Sequence, residues 1–384
     1  MKVLHVVATQ QRRGAEVFAA TLIGALQGSG VEQCVAIVRS QVDPGLRFGV
    51  PEVYLTGPHR RYNRRLDLTG VEKLRSSLRD LDPDVIHAHG GEALKYALAA
   101  TRGRGERIVY RRIGEVWGPS SVRWRRWAHG RLIRRASRVV AVAEVVRSEL
   151  LQMYGLSEDR VVAIPNAVDG ATIRPIAGRE ETRRRFGIAH EEVVVLSLGA
   201  LTWEKDPIAH IEIVAGAFDS LTGLVHLVVG DGPLRDRVEG EARRRRPART
   251  IILGSREDVA DILAASDVLL LASRTEGMPA CVIEAGMAGR PVVAYALAGV
   301  PEVVVDGQTG LLARPGDADS LTEKLAVVLA NEHQRVEMGR AAAERCRTRF
   351  DIKAVSGSYL NVYEAVVRGI ARPTTPSPHD LPAA

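Results

Sequence analysis

At 384 residues the chain exceeds one ordinary hydrophobic core and calls for two domains, while 46% hydrophobic but only 4% aromatic residues suits buried parallel strands rich in Val, Leu, Ile and Ala. Three scattered cysteines, Cys34, Cys281 and Cys346, exclude a disulfide scaffold and a Cys-based metal cluster, and no apolar run reaches the roughly 20 residues of a membrane span. The formal charge of +7 is concentrated between Arg102 and Arg138, where twelve arginines face only Glu106 and Glu115, so the rest of the chain is slightly acidic.

The first half alternates short apolar runs with helical patterns, the rhythm of βαβ units and a parallel sheet. Val3 to Val7 reads as a strand, and Ala15 to Leu26 as a helix with Phe18, Leu22 and Ala25 on one face. Strands follow at Gln33 to Val38, Asp84 to Ala88, Arg107 to Tyr110, Val139 to Ala143 and Val161 to Ile164, with a helix through Leu151 before the last. Pro165 to Gly170 breaks the rhythm, and the polar stretch to about Arg185 reads as an interdomain connection. The rhythm then restarts with strands at Val193 to Leu198, Val225 to Val229, Thr250 to Leu253, Val268 to Leu271, Val292 to Ala294 and Gly310 to Ala313. Helices at Ser320 to Ala330, Glu332 to Arg345 and Ser356 to Ile370 complete the pattern. The expected division is 1–168, 169–355, a helix over 356–370 returning to the first domain, and a disordered, proline-bearing tail over 371–384.

The stretch Glu276-Gly277-Met278-Pro279-Ala280-Cys281-Val282-Ile283-Glu284 directly follows an apolar strand and opens a helix. A strand end followed by a helix start presents backbone N–H groups and a positive dipole end, which suits a diphosphate or sugar hydroxyls. Glu276 lies before that helix and Glu284 about two turns into it, so each can touch a different part of one elongated ligand.

These residues resemble the E-x7-E motif of the retaining glycosyltransferases of family 4, a likeness running from about residue 1 to about residue 365. The resemblance implies the GT-B fold, α/β with two facing Rossmann-like domains and a cleft between them. It implies that Glu276 meets the hydroxyls of the donor sugar and Glu284 the ribose, with the backbone of Gly277, Met278, Pro279 and Ala280 near the sugar and diphosphate. Glu276 is then expected on a cleft rim. Ser197 to Asp206 resembles the segment in which an Arg and a Lys grip the diphosphate; Lys205 matches the Lys, Gly199 lies in the turn, and Ala200 stands where the pattern has the Arg. Arg274 or Arg13 are the candidate replacements. Gly230-Asp231-Gly232-Pro233 resembles the family's G-D-G-P turn, as ligand contact or as a plain strand-ending turn. Gly254-Ser255-Arg256 falls where the family presents groups to the nucleotide base.

In the first half Arg13-Gly14 opens the first helix, a place for a phosphate or an acceptor. His87-Ala88-His89 ends a strand, with both histidines on one side and His89 expected toward the cleft; no third ligand is evident in the sequence, so no metal site is expected. A packed, hydrogen-bonded histidine is the alternative reading. Relatives place a catalytic-site histidine after the strand that ends here at Tyr110, where this chain has Arg111-Arg112-Ile113-Gly114, leaving Arg111 or Arg112 for that polar role.

The implied reaction moves a sugar from a UDP- or GDP-linked donor to an acceptor hydroxyl with retention, with Glu276, Lys205 and His89 as catalytic residues, no cofactor and no metal. A nucleotide-sugar epimerase and a non-catalytic sugar-nucleotide-binding protein are the alternatives. A lipid-linked or glycan acceptor and a cytoplasmic location are expected. Trp117, Trp124 and Trp127 interleave with the arginines, which fits either an anionic membrane surface on the inner face or a solvated basic helix with its tryptophans packed inward. No nucleic-acid-binding module accompanies the charge, so nucleic acid is not an expected partner.

Overall fold

A computed structural model describes residues 1–40, 45–57, 66–114, 123–218, 223–245 and 249–369, with the backbone alone at 123–125 and 218. Trp117 and the tail 371–384 lie outside the described residues.

The chain forms two compact units, one of Met1–Asn166 with Ile352–Ala384, the other of Ala167–Asp351. The first unit runs β1 (Lys2–Val7), α1 (Gly14–Ala25), β2 (Glu32–Arg39), β3 (Glu52–Thr56), α2 (Leu68–Leu81), β4 (Val85–His89) and α3 (Gly91–Ala100). It continues with β5 (Ile108–Arg112), α4 (Arg123–Ile133), β6 (Arg138–Ala141), α5 (Glu144–Tyr154) and β7 (Val161–Ala163). The second unit holds α6 (Arg179–Arg185), β8 (Val193–Leu198), α7 (Pro207–Phe218), β9 (Leu224–Val229), α8 (Arg235–Arg244), β10 (Arg249–Gly254) and α9 (Val259–Ala265). After these come β11 (Val268–Leu271), α10 (Ala280–Met287), β12 (Val292–Tyr295), α11 (Val300–Val303), β13 (Gly310–Ala313), α12 (Ala318–Ala330) and α13 (Glu332–Arg349). The last helix, α14 (Ile352–Arg368), belongs to the first unit.

Among the described residues the first sheet has the order β3-β2-β1-β4-β5-β6-β7 and the second β10-β9-β8-β11-β12-β13, and every pairing is parallel. Parallel strands covered on both faces need continuous apolar runs, and the central strands have them: Val3, Leu4, Val6 and Val7 in β1 and Val194, Val195 and Leu196 in β8 are fully buried. In each sheet the strand order reverses beside the first strand of the unit. In open α/β sheets ligands bind at such a reversal, outside the carboxyl ends of the strands. The sites to search are therefore the loops after β1 and β4, and those after β8 and β11.

The stretch before Arg185 is not a connection. Its end folds as α6, and Arg183, only 1% exposed, gives Nη2 to Asp267 Oδ2 at 2.8 Å while Nη1 donates to the carbonyls of Ala189, His190 and Glu192. A run of arginines that reads as solvated is thereby built into the second unit. At the other end of the chain α14 places Ile352, Val355, Tyr359, Val362 and Tyr363 on one buried face at three- and four-residue spacing. That face packs on α1, β4 and β5, with the Tyr359 ring 5.7 Å from Phe18.

Candidate functional site

In the second unit the loops at the carboxyl ends of β8, β9 and β10 are bound edge to edge. Gly199 N–H donates to Val229 O, Leu201 N–H to Asp231 O, and Gly230 N–H to Gly254 O, at 2.8 to 3.0 Å. Gly230, at φ 137°, must be glycine, since a Cβ there would sit 1.8 Å from Gly199 O. The Gly230-Asp231-Gly232-Pro233 turn thus shapes the 199–201 loop through its backbone. The turn after β8, with parts of β9, β11 and α7, lines a small recess whose walls include Gly199, Ala200, Lys205, His210 and Ser273.

Across the sheet reversal the turn after β8 meets the segment after β11. The backbone N–H of Arg274 donates to Glu204 O at 2.9 Å, and the Lys205 ammonium lies 2.6 and 2.8 Å from the two carboxylate oxygens of Glu276. Burial works most strongly against the charge on Lys205, but the charge and hydrogen bond of Glu276, added to other nearby acidic groups such as Glu204, together hold the ammonium pKa above the ordinary lysine value. Glu276 is not a rim residue. It is 7% exposed, and a carboxylate so far from water is tolerable because a cation sits on both of its oxygens. Gly277, Met278 and Pro279 are buried, while Ala280 and Glu284 are half-buried on α10. Cys281 on the same helix stays a neutral thiol, its pKa pushed up to about 12 by burial.

His210 was not singled out by its sequence pattern, yet it organises this recess. Its Nδ1 lies 3.0 Å from the Asp206 carbonyl, so Nδ1 carries the hydrogen, and Nε2 accepts from the Ala272 N–H at 3.1 Å. Burial lowers its pKa, which keeps the ring neutral and these roles fixed. Only the fold brings it beside Lys205.

Of the two cations expected to replace the missing arginine, one is engaged within the second unit and the other belongs to the first unit. Arg274 pairs with Asp206 at 2.6 Å and lies over the Trp203 ring, and Arg13 is exposed at the start of α1 in the first unit. Arg256 is held by both oxygens of Asp258 at 2.8 and 2.7 Å. Ala200 itself is exposed.

In the first unit Gly14 opens α1 with free space around the position of a Cβ. Arg112 is half-buried, but Arg111, 1% exposed, is an interior group. Its Nε donates to the Tyr359 hydroxyl at 3.2 Å, its Nη2 to Asn166 Oδ1 at 3.0 Å, and its guanidinium stacks 3.6 Å over Phe18. It is therefore a tether for α14, not an open polar group. His89 is 2% exposed, with its Nε2 3.1 Å from His5 Nδ1. The expectation that the histidine pair lacks a third ligand is also corrected, because β1 runs beside β4 and brings His5 into the same cluster.

Two family models match the chain in succession, "Glycosyltransferase Family 4" over residues 12–171 and "Glycosyl transferases group 1" over residues 178–345. The chain is 26% identical over 317 residues to the glycogen synthase of Mycobacterium tuberculosis, covering 78% of this chain and 74% of that one. It is 30% identical over 248 residues to the 2-deoxystreptamine glucosyltransferase of Streptomyces kanamyceticus, covering 63% of each. Its fold matches sucrose-phosphate synthase of Thermosynechococcus elongatus at TM-score 0.84 and 18% identity, over 96% of this chain and 99% of that one. It matches Anabaena HepE, solved in complex with UDP and glucose, at TM-score 0.81 and 21% identity, over 95% and 100%. With both units matched in order and the fold shared along nearly its whole length, the chain belongs to the group 1 glycosyltransferases and is a glycosyltransferase of the GT-B fold.

Proposed function

We propose that this glycosyltransferase moves a hexosyl group from a UDP- or GDP-linked donor to an acceptor hydroxyl, with retention at the anomeric carbon and no metal in the chemistry. The product is a polysaccharide, glycolipid or other cell-envelope glycan. The observation that carries the reading is the Lys205–Glu276 pair at the strand-order reversal of the second sheet. As the glycosidic bond breaks, negative charge grows on the departing diphosphate, and a cation already positioned there stabilises the transition state more than the ground state. Lys205 supplies that cation, and Glu276, freed from it, accepts hydrogen bonds from the sugar hydroxyls. Glu284 takes the ribose, Gly199 and Gly277 to Ala280 line the diphosphate and sugar, and Arg256 lies toward the base. The acceptor attacks from the face the phosphate leaves, and the phosphate oxygen takes its proton, so no flanking carboxylate pair is required.

The UDP complexes of Anabaena HepE support a nucleotide-linked donor. Thermal stabilisation across a panel of UDP- and GDP-sugars tests this, since a ligand that binds only the folded chain raises its melting temperature. Stabilisation by one donor, with nucleotide released only once an acceptor is added and equally in EDTA, is the expected result. Indifference to every donor sinks the reading.

On the acceptor side the reading extends to an anionic lipid surface. Trp127 on α4 is 63% exposed with the Arg131 guanidinium 5.8 Å over its ring, and Arg134 and Arg135 are exposed beyond it. Each basic residue near an anionic leaflet adds about 1 kcal/mol, so binding to anionic but not neutral vesicles at low salt is expected. Equal partitioning to both removes the membrane from the proposal. No helix among the described residues is long and apolar enough to cross a bilayer.

A further inference from the structure

Three imidazoles converge inside the first unit. His5 on β1 and His87 on β4 are register partners across the parallel pair, and His89 follows two residues later on the same side. One ring nitrogen of each lies within 4.8 Å of the other two, and the three residues are 0%, 0% and 2% exposed.

The hydrogen bonds around His5 fix which of its nitrogens carries the proton. Gln33 Nε2 donates to Ile23 O at 3.0 Å, which turns its amide oxygen toward His5 Nε2 at 3.2 Å. An oxygen acceptor there requires an N–H, so His5 Nδ1 holds the lone pair, 3.1 Å from His89 Nε2. His87 Nδ1 sits 2.7 Å from the Tyr363 hydroxyl on α14. His87 Nε2 and His89 Nδ1 have no hydrogen-bond partner among the described residues. Each buried nitrogen without a partner costs on the order of 1–3 kcal/mol, and an ion bound through His5 Nδ1, His89 Nε2 and His87 Nε2 would satisfy the last of these, His87 Nε2.

We propose that His5, His87 and His89 bind a divalent transition-metal ion of the zinc type, at a buried site that ties β1 to β4 beneath α14. The site is structural and independent of the donor reading. Metal-bound histidines hold their remote nitrogen against an oxygen, as Gln33 and Tyr363 do here for His5 and His87. Two nitrogens on a tetrahedral zinc at about 2.0–2.1 Å stand about 3.3 Å apart, close to the 3.1 Å between His5 and His89. An imidazole set without carboxylates suits zinc and its neighbours, whereas magnesium and calcium require oxygen. Burial keeps all three rings neutral, lowering the pKa of His5 to about 4 and those of His87 and His89 well below the usual histidine value. The opposing charge is Arg111, the register partner of His89 on β5. With no carboxylate in the cluster to offset the ion, that guanidinium favours an anion, hydroxide or chloride, as the fourth ligand.

The full chain is loaded with zinc, dialysed exhaustively against metal-free buffer and assayed by elemental analysis, with about one zinc per chain expected because a buried site releases metal slowly. Cobalt in its place should give tetrahedral d–d absorption without a thiolate charge-transfer band, and His5→Gln and His87→Gln should bring retained metal to background. If either variant loses the fold, the parent chain decides. No retained zinc, or a cobalt spectrum with the thiolate band of Cys34, Cys281 or Cys346, overturns the site. Donor-induced stabilisation measured on the same samples reports separately, because its absence with zinc retained counts against the donor reading alone.

Discussion

Lys205 and Glu276 lie 71 positions apart, and their pairing sets what each substitution does. Glu276→Gln keeps the shape but removes the charge that meets the sugar, and transfer should fall by roughly 100-fold or more, as when a single transition-state contact is lost. The chain should still fold but with a lowered melting temperature, because the amide keeps one acceptor for the ammonium and turns a donor toward it where the second carboxylate oxygen stood; a collapse of the fold instead would assign Glu276 to stability. Ala200→Arg tests the missing cation. The side chain at 200 is exposed beside the recess, so an arginine has room, and a charge-assisted contact to phosphate is worth about 1.5–3 kcal/mol, a gain of roughly tenfold or more in UDP affinity by calorimetry. Unchanged or weaker binding would mean that the phosphates lie elsewhere. Residue types and order made Lys205 and Glu276 legible through a family resemblance. The burial of Glu276 was not legible, because a carboxylate after a strand looks the same whether or not a distant lysine covers it. His5 escaped for the same reason, since only the register of β1 on β4 brings it to His87.

Strong apolar runs announce the interior strands, and the elements that escape are those whose signal is diluted. Glu52–Thr56 forms β3 at the edge of its sheet, where Tyr54 remains 41% exposed and only Leu55 and Thr56 are buried. Helix α6 is hidden by Arg179, Arg183, Arg184 and Arg185, because sequence does not distinguish a solvated arginine from one clamped inside. Asp267 is what clamps it, reaching Arg179 at 2.7 Å, Arg183 at 2.8 Å and the Val194 N–H at 2.8 Å. Asp267→Ala leaves the buried Arg183 without its counter-charge, and a loss of about 3–5 kcal/mol is expected in urea unfolding of the second unit. A loss below about 1 kcal/mol, the scale of a surface pair, would show that the clamp is dispensable.

Across the whole molecule acid should be the weak side. His5 in the first unit and His226 in the second are fully buried, and burial lowers their pKa values to about 4 and about 3. The unfolded chain, with histidines near 6.5, then binds more protons than the folded one, so stability is complete above about pH 6.5 and falls as the pH drops toward those lowered values. Denaturant midpoints measured from pH 7.5 to 4.5 should decline steadily below 6.5, and a flat profile would mean that the rings are hydrated in solution. The placement of α14 also orders events in time. The first unit needs Tyr359 and Tyr363 to close over Arg111 and His87, so it cannot finish folding until residue 363 has been made. The contiguous unit 167–351 is complete earlier and can fold while its predecessor on the chain still waits. Synthesis thus reverses the usual sequence of amino-terminal domain first. A chain ended after Asp351 should survive limited proteolysis in 167–351 and be cut within 1–166, and protection of both would show that the first unit closes without its final helix.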